Sequence, residues 1–130
     1  MSDRSLPSLH GVIVSHAAVA QALVSAVTVI TGIDGALTPV SNEGCGTDAL
    51  AERLKEAVGK GPAVLFVDLP GGSCLTSSVR YAKQHADIAV VTGVNLAMLL
   101  DFVFHRDVAP AEAARRAADA GGKAIRVTAA

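Results

Sequence analysis

The chain has 130 residues, near the commonest size of a single domain, and 11 basic against 12 acidic residues leave a net charge of -1. So even a balance offers no basic field to hold nucleic acid or an anionic membrane surface. Hydrophobic residues make up 51% of the chain but aromatics only 3%, so a full core is expected, built from Ala, Val, Leu and Ile.

Residues 1–10, MSDRSLPSLH, read as a flexible leader without the apolar core of a signal peptide. Residues 11–130 read as one domain. Gly11 to Ser15 is a first strand, apolar enough to be covered on both faces. Residues 17–31 predict a helix whose polar positions Gln21, Ser25 and Thr28 make one narrow stripe. The rest of its circumference is apolar, so it needs cover beyond the sheet, from another helix or another subunit. Ala17 to Ile30 is also the longest apolar stretch, shorter than the roughly 18–20 residues of a membrane span. The expected location is cytoplasmic.

Residues 36–40 make a weaker strand, which Pro39 confines to a sheet edge because it cannot donate to a ladder. After the loop 41–46, Thr47 or a neighbour caps a helix over 48–60, with Leu50, Leu54, Ala57 and Val58 as its apolar stripe and Glu52, Arg53, Lys55 and Glu56 facing water. Ala63 to Val67 is the central strand. A helix over about 74–85 carries Leu75, Val79 and Ala82 at i, i+4 and i+7. Asp87 to Val91 is the fourth strand, and Asn95 caps a helix that ends near Arg106. Pro110 opens a last helix with Glu112–Arg116 and Arg115–Asp119 pairs, stopped by Gly121-Gly122. Lys123 to Val127 alternates as a half-exposed edge strand. This order predicts an α/β fold, a parallel four-stranded sheet with helices on both faces and a C-terminal edge strand. Sites in open sheets of this kind form at the carboxyl ends of the strands.

Two strand ends carry reactive side chains: Val14-Ser15-His16 and Val67-Asp68-Leu69-Pro70-Gly71-Gly72-Ser73-Cys74. If the first and third strands are neighbours, His16, Asp68 and Ser73 converge. A carboxylate accepting the Nδ1 proton would fix the tautomer and free Nε2 as a nucleophile. The Gly71-Gly72-Ser73 turn lacks the lysine of a P-loop and the spacing of a dinucleotide fingerprint, which leaves room for one small anion at a helix N-terminus. Together these groups point to phosphoryl transfer through a phosphohistidine. Two other readings use the same residues. One is a cysteine hydrolase with Cys74 as nucleophile, His16 as base and Asp68 as orienter; the other is a non-catalytic module that binds a phosphorylated partner. His10, His85 and His105 read as solvated. Cys45 and Cys74 have no metal-ligand spacing, no disulfide is expected between them, and neither metal nor cofactor is implied.

Val14-Ser15-His16, Val67 to Ser73, and Thr92-Gly93-Val94-Asn95-Leu96-Ala97-Met98-Leu99-Leu100 resemble the mannose-type IIA domain of the bacterial phosphoenolpyruvate-dependent sugar phosphotransferase system, over about residues 11–127. The resemblance implies that His16 receives a phosphoryl group from phosphorylated HPr and passes it to a IIB component. Asp68 would orient His16, and Gly71, Gly72 and Ser73 would contact the phosphoryl group. It also implies a homodimer that exchanges an antiparallel fifth strand, and an indirect link to membrane IIC and IID components or, instead, a regulatory use of the phosphorylation state. Three positions depart from the pattern: Ala17 replaces a glycine, and Cys74 and Ala97 each replace a proline. None of these removes a chemical group.

Overall fold

The computed structural model describes residues 8–130. The apolar runs form strands β1 (His10–Ser15), β2 (Leu37–Ser41), β3 (Ala63–Val67) and β4 (Ile88–Thr92). All their pairings are parallel, in the order β2-β1-β3-β4. Pro39 therefore sits on an edge strand, as its missing N–H requires. The helices are α1 (Val19–Thr31), α2 (Thr47–Val58), α3 (Ser73–Gln84), α4 (Leu96–Val103) and α5 (Pro110–Lys123). None of them is long and apolar enough to cross a membrane.

Strand alternation divides the core in two. Ile13, Val64 and Phe66 face α1, α4 and α5, where they meet Ala20, Val27, Leu99, Phe102 and Ala117. Val12, Val14, Leu65 and Val67 face α2 and α3, against Leu50, Leu54, Cys74 and Tyr81. Both inner strands are thus buried on both sides, which accounts for their unbroken hydrophobic runs. Crossing from β2 over β1 to reach β3 moves α2 to the opposite face from α1. The strand order reverses between β1 and β3, the point at whose carboxyl ends open sheets of this kind form their crevice.

Several expectations are corrected. Residues 1–7 of the expected leader lie outside the described residues, but Leu9 is buried and His10 begins β1. His10 is half-buried rather than solvated, with Nε2 2.6 Å from Thr38 Oγ1. Gly46, the neighbour of Thr47, occupies the N-cap of α2, and the expected side-chain cap bond is not made. On α3 the buried stripe is Cys74, Ser77, Ser78 and Tyr81 rather than Leu75, Val79 and Ala82. The buried hydroxyl of Ser78 discharges its hydrogen bond on Cys74 O at 2.7 Å. On α5 the ion pair formed is Lys123–Asp119, 3.0 Å, in place of the pairs expected upstream.

Gly121-Gly122 does not stop α5, which runs to Lys123. Gly121 packs closely against α4. A Cβ there would lie 3.0 Å from Met98 Cε, and Gly121 O accepts from Asn95 Nδ2 at 3.1 Å. Its backbone is held by packing, so its low helix propensity is overridden. Of the strand expected at Lys123–Val127, Lys123 belongs to α5, and residues 125–130 pair with no strand of their own chain, leaving Ile125 and Val127 76% and 84% exposed. A lone terminal segment without a pairing partner has no ladder to join.

Candidate functional site

β1 and β3 are hydrogen-bonded neighbours, with Val14 opposite Val67, so the residues that leave their carboxyl ends are side by side. His16 follows β1 and Asp68 follows β3. One carboxylate oxygen, Asp68 Oδ2, lies 2.9 Å from His16 Nδ1 and accepts the His16 backbone N–H, also at 2.9 Å. The same oxygen thus fixes both the turn and the ring. With Nδ1–H donating to a carboxylate, Nε2 carries the free lone pair. Burial acts to raise the Asp68 pKa, but the backbone N–H and ring of His16 outweigh it and hold the carboxyl below its ordinary value; the Leu69 N–H adds a weaker pull outside hydrogen-bonding geometry. The His16 side chain is 43% exposed and that of Asp68 14%, so the ring is half open to solvent and the carboxylate is largely covered.

The turn after His16 is strained. Ala17 has φ 49, in the left-handed region that a Cβ disfavours by roughly 1–2 kcal/mol. This gives a physical reason for the glycine that the resembling family carries there. Three side chains hold the turn. Ser15 Oγ accepts the Ala20 N–H at 2.7 Å, and Ser41 Oγ donates to Ala17 O at 2.8 Å. Arg53 Nη1 donates to Ser41 O at 2.6 Å and to Glu43 O at 3.1 Å. Arg53 was expected only as a solvated helix residue. Its role depends on β2 lying beside β1, and no spacing in the sequence signals that contact.

Gly71, Gly72 and Ser73 are exposed beyond Asp68. Gly72 is the N-cap of α3 at φ 88, a conformation that favours glycine. Thr76 N–H makes the first intrahelical bond, to Gly72 O, at 3.0 Å. The N–H groups of Ser73, Cys74 and Leu75 therefore have no intrahelical acceptor and present partial positive charge to the crevice. Cys74 is fully buried behind them, and burial together with the Asp68 charge pushes its thiol up to about 11. A protonated, buried sulfur is a poor nucleophile, which weighs against the hydrolase reading.

The family model described as the PTS system fructose IIA component matches residues 11–118. The chain belongs to this family. Its work is phosphotransfer within the sugar phosphotransferase system. Among solved structures, this IIA chain is similar to the mannose/sorbose-specific IIA subunit of the Enterococcus faecalis phosphotransferase system, at 26% identity and TM-score 0.80, with 95% of this chain and 97% of the other covered. It also shares its fold with a phosphotransferase system EIIA component of Streptococcus agalactiae, at 20% identity and TM-score 0.85, covering 92% and 96%. A comparison with curated proteins found no match.

Proposed function

We propose that this IIA chain is a phosphoryl carrier that takes its phosphoryl group from phospho-HPr on Nε2 of His16 and hands it to a IIB component. The observation that carries the reading is the 2.9 Å contact between His16 Nδ1 and Asp68 Oδ2 at the β1/β3 crevice. Nε2 attacks phosphorus, the new N–P bond forms, and the bond from phosphorus to the donor histidine breaks. The ring gains positive charge while Nδ1 keeps its proton, and the ionised Asp68 stabilises that charge. The phosphoryl oxygens are received by the N–H groups that open α3, with Gly71, Gly72 and the Ser73 hydroxyl at the rim. Transfer to IIB reverses the sequence, so the carrier needs no cofactor.

In this reading the chain works in the cytoplasm as a homodimer, beside IIC and IID membrane components or as a reporter of phosphorylation state. Residues 125–130 would add to the open edge of a partner's sheet. β4 is last in the strand order, and its Ile88, Ala89 and Val90 are only half-buried. An uncovered edge of that kind is an aggregation hazard that an added strand removes.

The test is incubation with phosphoenolpyruvate, enzyme I and HPr, followed by intact-mass analysis. One acid-labile phosphoryl group per chain is expected in the wild type and none in His16→Ala. Equal labelling of the two proteins would overturn the assignment.

A further inference from the structure

We propose that His16, Asp68 and Cys74 together form a binding site for a zinc-class divalent cation. An imidazole nitrogen of His16, a carboxylate oxygen of Asp68 and Sγ of Cys74 lie within 4.8 Å of one another. Nitrogen, oxygen and sulfur are the three donor types that zinc takes from proteins, and the mixed set disfavours magnesium and calcium, which take oxygen alone. Bonds of about 2.0–2.3 Å place the ligands of a tetrahedral zinc roughly 3.3–3.8 Å apart, so closure needs side-chain movements of about 1.5 Å at most.

A second observation points to a ligand at the same place. Asp68 Oδ2 is engaged twice by His16, but Asp68 Oδ1 is buried with no hydrogen-bond partner. A buried carboxylate oxygen left unmatched is costly, and a cation held by the Asp68 carboxylate would satisfy it. The three donors are also held by backbone that the fold has already fixed. Strand pairing sets His16 against Asp68, and the first turn of α3 sets Cys74. Cys74, fully buried, is the floor of the site, and the half-exposed His16 is its mouth. Three protein ligands leave a fourth position open on the solvent side, the arrangement of an exchangeable rather than a closed structural site. On binding, Sγ gives its proton to solvent and the thiolate bonds to the metal.

Either ring nitrogen, once metallated, is lost to phosphoryl transfer: Nε2 as nucleophile, or Nδ1 as donor to Asp68. Metal and phosphoryl group then exclude each other. This exclusion rests on the phosphohistidine reading above; the metal site does not.

The test is titration of the full chain, first stripped with chelator, with Co²⁺ and then Zn²⁺, in the absence of any phosphoryl donor. One equivalent of Co²⁺ per chain should give the intense visible bands of a tetrahedral site and a near-ultraviolet thiolate charge-transfer band, both removed by Zn²⁺. Cys74→Ser should lose the charge-transfer band. It and His16→Ala should each weaken Zn²⁺ binding by more than the roughly 10–100-fold that loss of an outer-shell partner costs, with unchanged far-ultraviolet circular dichroism. Cys45→Ser should keep both signals. A wild-type chain with no charge-transfer band, a Cys74→Ser chain that keeps it, or a Cys45→Ser chain that loses it would each overturn the site. Phosphorylation of the stripped chain at His16 is measured separately, so failure of the carrier reading is told apart from failure of the metal site.

Discussion

At the scale of single residues, one oxygen of Asp68 holds both the backbone and the ring of His16. Asn at 68 keeps the size, loses the charge and can present an N–H that favours the wrong tautomer. A charge-assisted hydrogen bond is worth roughly 1.5–3 kcal/mol, which is about ten- to a hundredfold in rate if fully expressed in the transition state. Asp68→Asn should slow phosphorylation by that factor, Asp68→Ala similarly, and Ser73→Ala less, since the backbone N–H groups remain. Rapid-quench transfer from phospho-HPr measures the order, and a wild-type rate in Asp68→Asn would reduce Asp68 to a turn residue. The same carboxylate predicts a pH dependence. Its pKa is depressed in the folded chain, so its stabilisation is fully present above the unfolded value and is lost as pH falls through the folded one. Wild type should therefore be more resistant to urea than Asp68→Asn near neutral pH, and the two should converge as the pH falls through the depressed pKa of Asp68. A difference in midpoint that persists unchanged in acid would show that the carboxylate charge is not its source.

At the scale of elements, close approach decides what the propensities leave open. Gly11 in β1 lies under the Phe66–Phe102 pair, whose rings meet edge to face at 5.0 Å. A Cβ at Gly11 would lie 2.6 Å from Leu37 Cδ2 and 2.7 Å from Phe102 Cε2. Phe102 is fully buried and has nowhere to retreat. Gly11→Ala should cost about 1–3 kcal/mol by overpacking, read as a lower urea midpoint with an unchanged slope. An unchanged midpoint would mean that α4 slides freely on the sheet. At its other end α4 is tied by Asn95, whose Oδ1 accepts the Met98 N–H at 2.9 Å while its Nδ2 reaches Gly121 O at 3.1 Å. That second bond joins the start of α4 to the end of α5, and it belongs with the small residue that lets α5 continue through Gly121.

At the scale of the whole molecule, apolar surface remains that one chain does not cover. Val29 and Ile30 on α1 are 84% and 58% exposed, and Ile125 and Val127 extend beyond α5. Isolated exposed apolar residues are ordinary; neighbouring ones on a helix already short of polar positions call for a partner. The full chain should run as a dimer in light scattering, and removal of residues 125–130 should lower either dimerisation or solubility. A monodisperse, soluble, full-length monomer would contradict the exchange of the terminal segment.

By itself the sequence determined the local elements and the residue types at the strand ends. Unbroken runs such as Val64 to Val67 can only be strands covered on both faces, Pro39 can only lie at an edge, and Asn95 before Leu96 is a side-chain cap, because these follow from backbone sterics, hydrogen-bond inventory and periodicity. The family motifs around His16 and Asp68 were legible for the same reason: they are contiguous stretches with fixed turn chemistry. What needed the tertiary structure were contacts between residues far apart in the chain. The true buried face of α3 depends on how closely the helix meets the sheet, and the continuation of α5 through Gly121 depends on α4 lying against it. The strand reading of Lys123–Val127 rested on alternation, which marks two faces but supplies no ladder partner. The crevice itself exists only because the strand order places β1 beside β3. The sequence could group His16, Asp68 and Cys74 only on the condition that β1 and β3 are neighbours, and that pairing is what brings their nitrogen, oxygen and sulfur atoms together.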